Sequence, residues 1–345
     1  MRWIALFLVG LIATSLHADV VRLAFGSCAD ADKPDHPIWD ALYQAQPDAL
    51  LMIGDNVYAD SPSFRSNPSR QGLETEYAKL GAAPLFRRLR ASIPVYATWD
   101  DHDYGLNDGG GEFALKDVSQ QVFFDFWQVA ADRPERQTPG IYAERWLDKA
   151  GMQIQILLLD TRYFRSALTI DVPDGRCPVR NYGINVAEGV TILGRAQWQW
   201  LEERLQEPAD VRVIASSIQV VADQHCWERW GAFPKERARL FRLIASSGAR
   251  NIFFVSGDRH LGEISKLSDT DDFALDYPLY DITSSPLSAR SGFGKGEVNR
   301  YRVGHDNVRV SNFGMIEVDA VKRQAVLSLR DSVGETLVGT SVFLR

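Results

Sequence analysis

The feature that most constrains the fold is an alternation of short apolar runs with longer amphipathic stretches along most of the chain. The runs are rich in β-branched and aromatic residues, which is typical of buried strands. They lie at Val20–Phe25, Ala49–Ile53, Val95–Trp99, Ile154–Leu159, Val211–Ser216 and Ile252–Ser256. Helix-like stretches separate them at Ile38–Gln46, Leu73–Ala91, Asp117–Val129, Leu193–Gln206 and Lys235–Ser246. Strands that alternate with helices predict a layered α/β fold with a central sheet.

The pattern changes near Tyr277, after which only strand-like segments follow, separated by short polar turns. These segments are YDITSS, NVRVSNFGMIEVDA, QAVLSLRD and TLVGTSVFLR. We expect them to form an antiparallel C-terminal sheet that packs on the first half as a second β-layer. Internal repeats, low-complexity tracts and long Gly/Ser linkers are absent from the sequence, so we predict a single domain over residues 19–345.

The N-terminus, MRWIALFLVGLIATSLHADV, has one Arg, an uncharged run from Trp3 to Leu16 and then small residues. This order predicts a cleavable signal peptide over residues 1–18. The alternative is a membrane anchor, but the run is shorter than the roughly 20 residues that a spanning helix needs. We therefore expect a periplasmic or secreted protein without a stable membrane anchor.

The charge pattern argues against a nucleic-acid partner. The chain has 38 Lys+Arg against 45 Asp+Glu, which gives a net charge of −7. It contains no basic stripe and no long run of like charges, whereas a binder of phosphate backbones needs a basic surface. The sequence predicts no nucleic-acid-binding surface and leaves the oligomeric state open.

Export would make the three cysteines informative, because an oxidising compartment pairs thiols and an odd number leaves one unpaired. Cys177 and Cys226 lie in separate loops, DVPDGRCPVRN and ADQHCWERWG, and are the expected disulfide. Cys28 follows the first predicted strand, at a position where chemistry is common. The alternative for Cys28 is a buried, unreactive thiol.

Residues that can bind metals follow four of the predicted strands. Carboxyl ends of strands are where layered α/β folds bind ligands. The residues are Cys28 after the first strand, Asp55, Asn56 and Tyr58 after the second, Asp100, Asp101, His102 and Asp103 after the third, and Asp258, His260 and Glu263 after a later one. Each alone is explained by a turn, a cap or a surface position. Together they predict a metal site, because acidic groups at one sheet edge repel unless cations neutralise them.

The types of ligand limit the choice of metal and of reaction. Thiolate, phenolate and carboxylate together suit oxidised iron, while carboxylate and amide oxygens suit Ca²⁺. Zn²⁺ could use the His and Cys ligands instead, and Mn²⁺ is a further alternative for the oxygen ligands. Two or more such ions polarise a phosphoryl oxygen and activate water. The cluster therefore predicts metal-assisted hydrolysis of phosphoesters.

The motifs GDNVY, WDDHD and GDRH, each after a strand, resemble the signature of the calcineurin-like metallophosphoesterases. The sequence is most similar to their PhoD-like branch, since Asp-His replaces the usual Asn-His pair and Asp-x-His replaces His-x-His. GSC after the first strand, LLLDTRYFRS and WERWGAFPKER match the same branch, and the resemblance runs in order from about Leu23 to Glu263. It implies a layered α/β/β/α sandwich with mixed central sheets.

The resemblance also implies roles for the metal-binding residues. Asp55 would bridge two metals, and Cys28, Tyr58 and His260 would complete a site for Fe³⁺. Asp101 and Asp258, with Asn56 beside them, would hold a second ion such as Ca²⁺. A hydroxide that bridges the metals would attack the phosphorus.

The remaining expected roles concern the substrate. His102 matches the residue that stabilises the transferring phosphoryl group, and Asp101 belongs to the same catalytic set. Asn107 matches a motif position without a clear role. Arg162 and Arg165 in LDTRYFRS could contact phosphate, and the alternative is that they form structural salt bridges.

Three functions remain open from the sequence. The first is an exported phosphatase or phosphodiesterase, and the second is a phospholipase-type diesterase that acts on lipids or polymers. The third, a metal-stabilised binding protein without activity, would require a missing ligand, and none is missing. The expected substrate is a small or lipid-linked phosphoester, and the sequence does not identify it because specificity lies in loops.

Overall fold

The computed structural model describes residues 19–171, 181–268 and 273–345. The predicted signal peptide and Cys177 lie outside these ranges. The strands are β1 (Val20–Gly26), β2 (Ala49–Ile53), β3 (Val95–Thr98), β4 (Ala143–Lys149), β5 (Met152–Leu158), β6 (Val211–Ala215), β7 (Ile252–Ser256), β8 (Glu263–Leu267), β9 (Leu279–Thr283), β10 (Asn312–Asp319), β11 (Gln324–Asp331) and β12 (Thr336–Phe343). The helices are α1 (Ile38–Gln44), α2 (Pro62–Ser66), α3 (Arg70–Ala82), α4 (Pro84–Ser92), α5 (Asp101–Tyr104), α6 (Lys116–Phe126), α7 (Gly194–Arg204) and α8 (Pro234–Ser247).

The strands form two mixed sheets. The first has the order β12-β11-β10-β1-β2-β3, in which β1, β2 and β3 are parallel and β10 to β12 are antiparallel. The second has the order β4-β5-β6-β7-β9-β8, in which β5, β6, β7 and β9 are parallel. Its two edge strands, β4 and β8, are antiparallel to their neighbours.

Three apolar clusters in the described part of the chain show how these sheets are layered. One lies between α1, α3, α4 and α6 and the outer face of the first sheet, and it includes Leu50 and Met52 of β2. A second contains the alternate β2 residues, such as Leu51, together with Ile156 of β5, so it lies between the two sheets. The third packs α7 and α8 on the outer face of the second sheet. Because strand side chains alternate between faces, these clusters define the predicted α/β/β/α sandwich, and the fold class is confirmed.

The C-terminal strands pair antiparallel as predicted, but they do not form a separate sheet. β10 pairs with β1 over six residue pairs from Val20↔Asp319 to Phe25↔Gly314, so β10 to β12 extend the first sheet. The YDITSS segment instead becomes β9, which is parallel to β7 in the second sheet. Because β10 and β9 join different sheets, the C-terminal part of the chain contributes to both.

One predicted helix is two helices in the structure. The stretch Leu73–Ala91 divides into α3 and α4 at Pro84, which occupies the first turn of α4. Proline has no N–H to continue a helix, but its fixed φ suits a helix start. Strands β4 and β8 were not predicted: β4 has several polar, half-exposed residues, and β8 follows directly on the GDRH motif.

None of the helices in the described part of the chain is both long and apolar enough to cross a bilayer.

Candidate metal centre

The predicted metal-binding residues follow the carboxyl ends of parallel strands in both sheets. Cys28 lies two residues after β1, Asp55 two after β2 and Asp258 two after β7. Asp100 and Asp101 follow β3 and begin the short helix α5. Because parallel strands end at the same edge of a sheet, their terminal loops meet in one place.

The backbone is strained at several of these loops. Cys28, Asp55, Asp258 and His260 all have positive φ, between 49° and 65°. For residues other than glycine this region is sparsely populated, and such strain costs on the order of 1–3 kcal/mol per residue. Gly54 adds to the constraint, because a Cβ there would lie 2.6 Å from the Cβ of Asp100. Strain of this kind persists when the surrounding structure holds residues at a functional site.

The structure brings most of the predicted ligands into three overlapping groups, each with ligand atoms within 4.8 Å of one another. The groups are Cys28 with Asp55 and His260, Asp55 with Asp101 and His102, and Asp100 with Asp101 and Asp258. Asp55 and Asp101 each belong to two groups. The arrangement can therefore hold more than one cation, with shared carboxylates between them.

Cys28 and Tyr58 lie at one end of this arrangement. The thiol of Cys28 is 3.3 Å from Asp55 Oδ2, and Ser285 donates to its sulfur at 3.1 Å. Tyr58 Oη lies 3.0 Å from His260 Nε2. Cys28 is a free, buried cysteine, and a thiol, a phenol, a carboxyl group and an imidazole thus meet here.

Asp100 and Asp101 lie at the other end. Asp100 Oδ1 accepts from Ser217 Oγ at 2.6 Å and from Arg162 Nε at 2.6 Å, while its Oδ2 has no hydrogen-bond partner among the described residues. Asp101 Oδ2 accepts from the Asp108 N–H at 2.6 Å, and its Oδ1 is likewise buried without a partner. Each carboxylate therefore keeps one buried oxygen that a cation could satisfy. The sequence analysis did not assign Asp100 as a ligand, although its position at the strand end was noted.

Asn56 lies behind these carboxylates. Its Nδ2 donates to the Thr98 carbonyl at 2.8 Å and to Asp103 Oδ2, and its Oδ1 is a third buried acceptor without a partner in the described chain. Asp103 also accepts from the backbone N–H of Asp100 and so caps α5. Asp103 is therefore a structural residue that fixes both Asn56 and Asp100.

For Arg162 the sequence left two roles open, phosphate contact and a structural salt bridge, and the structure shows the salt bridge. Its guanidinium is fully buried, with Nε 2.6 Å from Asp100 and Nη1 2.5 Å from Glu228 Oε2. Arg165 is also buried and pairs with Glu228 at 2.7 Å. The structural alternative explains both side chains, because a guanidinium enclosed by carboxylates cannot reach a substrate in the cavity. Glu228, which the sequence analysis missed, joins the two arginines.

His102 and Asp60 form a hydrogen-bonded pair, with 2.6 Å between Nδ1 and Asp60 Oδ1. Burial lowers the pKa of His102, but the carboxylates Asp101 and Asp55 outweigh it and raise the pKa to about 11. Asp60 lies five residues after Asp55 in the same loop, and no motif in the sequence marked it as a partner of His102.

Most of the acidic groups in the centre have raised pKa values, so their neutral forms are favoured. Burial raises the pKa of the Cys28 thiol to about 12 and that of Asp100 to about 7. Burial, together with neighbouring negative charges, also raises the pKa values of Asp55, Tyr58 and Asp258 well above their ordinary ranges. Asp101 is the exception: burial raises its pKa, but the cations His102 and Arg162 hold it below its usual range.

These shifts and the three unpaired oxygens test whether the residues fit metal ions. Several acidic groups buried together are costly to ionise without a compensating cation, and a bound cation would deprotonate thiol, phenol and carboxyl groups. The donor set is also chemically mixed, with sulfur and phenol at one end and oxygen at the other. The residues present therefore fit metal ions.

A cavity of about 210 Å³ opens onto the centre. Its lining residues are Asp101, His102, Asn107, Asp108, Trp227, Asp258, Arg259, His260, Phe293 and Gly294. Asn107 thus lines the cavity and contacts Asp108. Arg259, rather than Arg162, is the arginine in this wall.

Of the two cysteines expected to form the disulfide, the structure describes Cys226. Cys226 is disulfide-bonded and Cys28 is not, while Cys177 lies outside the described residues. The free state of Cys28 agrees with the expectation that this thiol is left over for the centre.

The fold and the site together define a layered α/β protein with a candidate metal centre at the carboxyl ends of its strands. The model of the PhoD-like phosphatase family matches residues 23–328, and the chain belongs to this family. The resemblance inferred from the motifs is therefore confirmed.

The sequence identity to individual relatives is low. Alkaline phosphatase D of Bacillus subtilis (strain 168) is 22% identical, and the match covers 72% of this chain and 47% of that protein. The chain thus spans about half the length of this curated relative. A solved structure of PhoD has a TM-score of 0.69 and 17% identity over 94% of this chain and 68% of that one, which supports the fold.

Proposed function

We propose that this protein is an exported, metal-dependent phosphoester hydrolase. Membership of the PhoD-like phosphatase family supports the reaction class. The observation that carries the proposal is the position of His102, which lines the cavity, is held by Asp60, and lies in one group with Asp55 and Asp101. A histidine held in this way beside buried metal-binding carboxylates is suited to phosphoryl transfer.

The residues divide into two sets of ligands in the proposed centre. Cys28, Tyr58 and His260, with Asp55, would hold the harder, oxidised ion, which we propose is Fe³⁺. Asp101 and Asp258, with Asp100 and Asn56, would hold an ion that prefers oxygen, which we propose is Ca²⁺. Zn²⁺ and Mn²⁺ are the alternatives. Such ions, when bound, polarise a phosphoryl oxygen and activate the water that attacks it.

The chain's own residues then act on the substrate. Asp60 accepts the Nδ1–H of His102, which orients the ring and leaves Nε2–H to donate to a phosphoryl oxygen or to the leaving alcohol. Arg259, whose guanidinium is held by Glu297 at 2.7 Å, places N–H donors in the cavity wall that suit the oxygens of a phosphoester. Arg162 and Glu228 act indirectly, because they fix the orientation of Asp100.

We also propose where the protein acts and which class of substrate it hydrolyses. Export rests on the N-terminal pattern of residues 1–18, which predicts a cleavable signal peptide, and the mature protein would be periplasmic or secreted. The substrate would be a small or lipid-linked phosphoester.

The test is hydrolysis by the protein purified from the periplasm, with its metals determined by elemental analysis. We expect release of p-nitrophenol from bis-p-nitrophenyl phosphate or p-nitrophenyl phosphate, loss of this activity on chelation, and recovery when the metals found are restored. A protein with a full complement of metal that hydrolyses neither ester would contradict the proposal. Iron in the analysis would support Fe³⁺, whereas zinc alone would refute iron and leave the hydrolase standing.

A further inference from the structure

Two aromatic side chains line the cavity without belonging to any core. Trp227 and Phe293 are absent from the three apolar clusters of the described chain, and both contribute to the cavity wall. Phe293 remains 42% exposed. Large apolar rings that stay outside the core and meet in one cavity are typical of ligand contacts.

Trp227 makes one backbone hydrogen bond, and its ring has one neighbouring cation. Its N–H donates to Nδ1 of the buried His225 at 3.3 Å. The guanidinium of Arg259 lies 5.4 Å from its ring centre, and Glu297 fixes that guanidinium at 2.7 Å. The ring thus lies beside an ion pair in which Arg259 is buried and Glu297 is partly exposed.

Phe293 is held at the mouth of the cavity in a comparable way. Its ring meets the ring of His260 edge to face, with 5.5 Å between centroids, and the Arg290 guanidinium lies 5.5 Å from its centre. Gly294 beside it has a φ of 74°, and its carbonyl accepts from Asn307 at 2.8 Å. Because His260 is a proposed metal ligand, Phe293 lies directly beside the centre.

We propose that Trp227 and Phe293 form an aromatic subsite that binds the organic group esterified to the phosphate. This subsite selects phosphoesters in which that group carries a planar ring. This inference rests on the proposed function. The size of the cavity, about 210 Å³, supports it. A space of about 150 Å³ is enough for a benzene ring in a protein, so the cavity has room for one six-membered ring.

The test compares benzyl phosphate with cyclohexylmethyl phosphate, using the metal-loaded protein. Both are esters of primary alcohols with six-membered rings of similar size, and only the benzyl ring is planar and aromatic. Phe293→Leu and Trp227→Leu keep apolar side chains but remove the rings. Phe343→Leu on β12 is the matched control, because Phe343 is 76% exposed and is not part of the cavity wall.

We expect the wild type and the Phe343→Leu variant to prefer benzyl phosphate in kcat/KM. Each cavity variant should lose roughly two- to tenfold of that preference, mainly through KM, as expected for one aromatic pair. The preference for benzyl phosphate over methyl phosphate should fall in the same proportion, since a methyl group does not reach the rings. An equal preference in the wild type and in Phe293→Leu would overturn the inference, and because Phe293 is exposed this variant should fold even if Trp227→Leu does not.

A binding measurement separates this inference from the proposed function. Calorimetry should show that benzylphosphonate binds more tightly than cyclohexylmethylphosphonate and that Phe293→Leu removes the difference. Equal affinities would overturn the aromatic subsite even in an active enzyme. A protein that shows the expected binding difference but hydrolyses no ester would instead retain the subsite and contradict the hydrolase.

Discussion

His102 Nδ1 lies 2.6 Å from Asp60 Oδ1, and this contact connects the loop after β2 with helix α5 at the wall of the cavity. The backbone N–H of His102 also donates to Asp55 Oδ1 at 3.3 Å. The imidazole is therefore held at its ring and its backbone by two carboxylates. Orienting the substrate and binding metal are two different roles for His102, and substitution of this residue can distinguish them.

We predict that His102→Ala keeps its metals and loses about two to four orders of magnitude in kcat, the usual contribution of one positioned acid or hydrogen-bond donor. Asp60→Asn should cause a smaller loss, because the ring remains but is less firmly oriented. Elemental analysis and steady-state kinetics check both variants. Loss of metal together with rate would show that His102 is a ligand.

The burial of Arg162 leads to a prediction about stability. Arg162→Met would leave the carboxylates of Asp100 and Glu228 buried without their cation, which should lower the free energy of unfolding by about 3–5 kcal/mol. The control is Arg88→Met, since Arg88 is about half exposed and lies 3.5 Å from an exposed Asp40. Its loss should stay below about 1 kcal/mol. Urea denaturation measures both, and equal midpoints would contradict the structural role of Arg162.

The disulfide at Cys226 should be the single crosslink of the chain, with Cys177 as its partner. A loop of about 50 residues implies a stabilisation of about 3 to 4 kcal/mol, less any strain. Thiol counting after denaturation should give one free thiol, and peptide mapping should find it at Cys28. A crosslinked peptide that contains Cys28 would remove the argument that this thiol is available to a metal.

The fold was predictable where buried strands have a continuous apolar pattern. β2 and β7 have the predicted bounds, because each is a short apolar run that ends at a turn. The division of α3 from α4 could have been found from Pro84, whose effect on a helix is local. β4 is at a sheet edge and its polar residues hide the strand pattern. That β9 and β10 would join different sheets depends on long-range pairing, for which the sequence gives no local signal.

Part of the site was also predictable from the sequence. Residues that follow strands directly, such as Asp55 and Asp258, could be placed at one sheet edge from topology alone. The ion network could not be predicted, because Arg162 and Glu228 are 66 residues apart and meet only after folding. For the same reason, the exposed Phe293 had no visible connection with the centre.

The most direct test of the account is Asp55→Asn, measured as bound metal and as the rate of hydrolysis of bis-p-nitrophenyl phosphate by the same sample. Asp55 lies in two of the three ligand groups, so loss of its charge should remove metal and abolish turnover while the circular dichroism of the folded protein is unchanged. Asp40→Asn, at an exposed carboxylate on α1, is the control and should keep both metal and activity. Wild-type turnover by Asp55→Asn with its metal content unchanged would contradict the assignment of the centre.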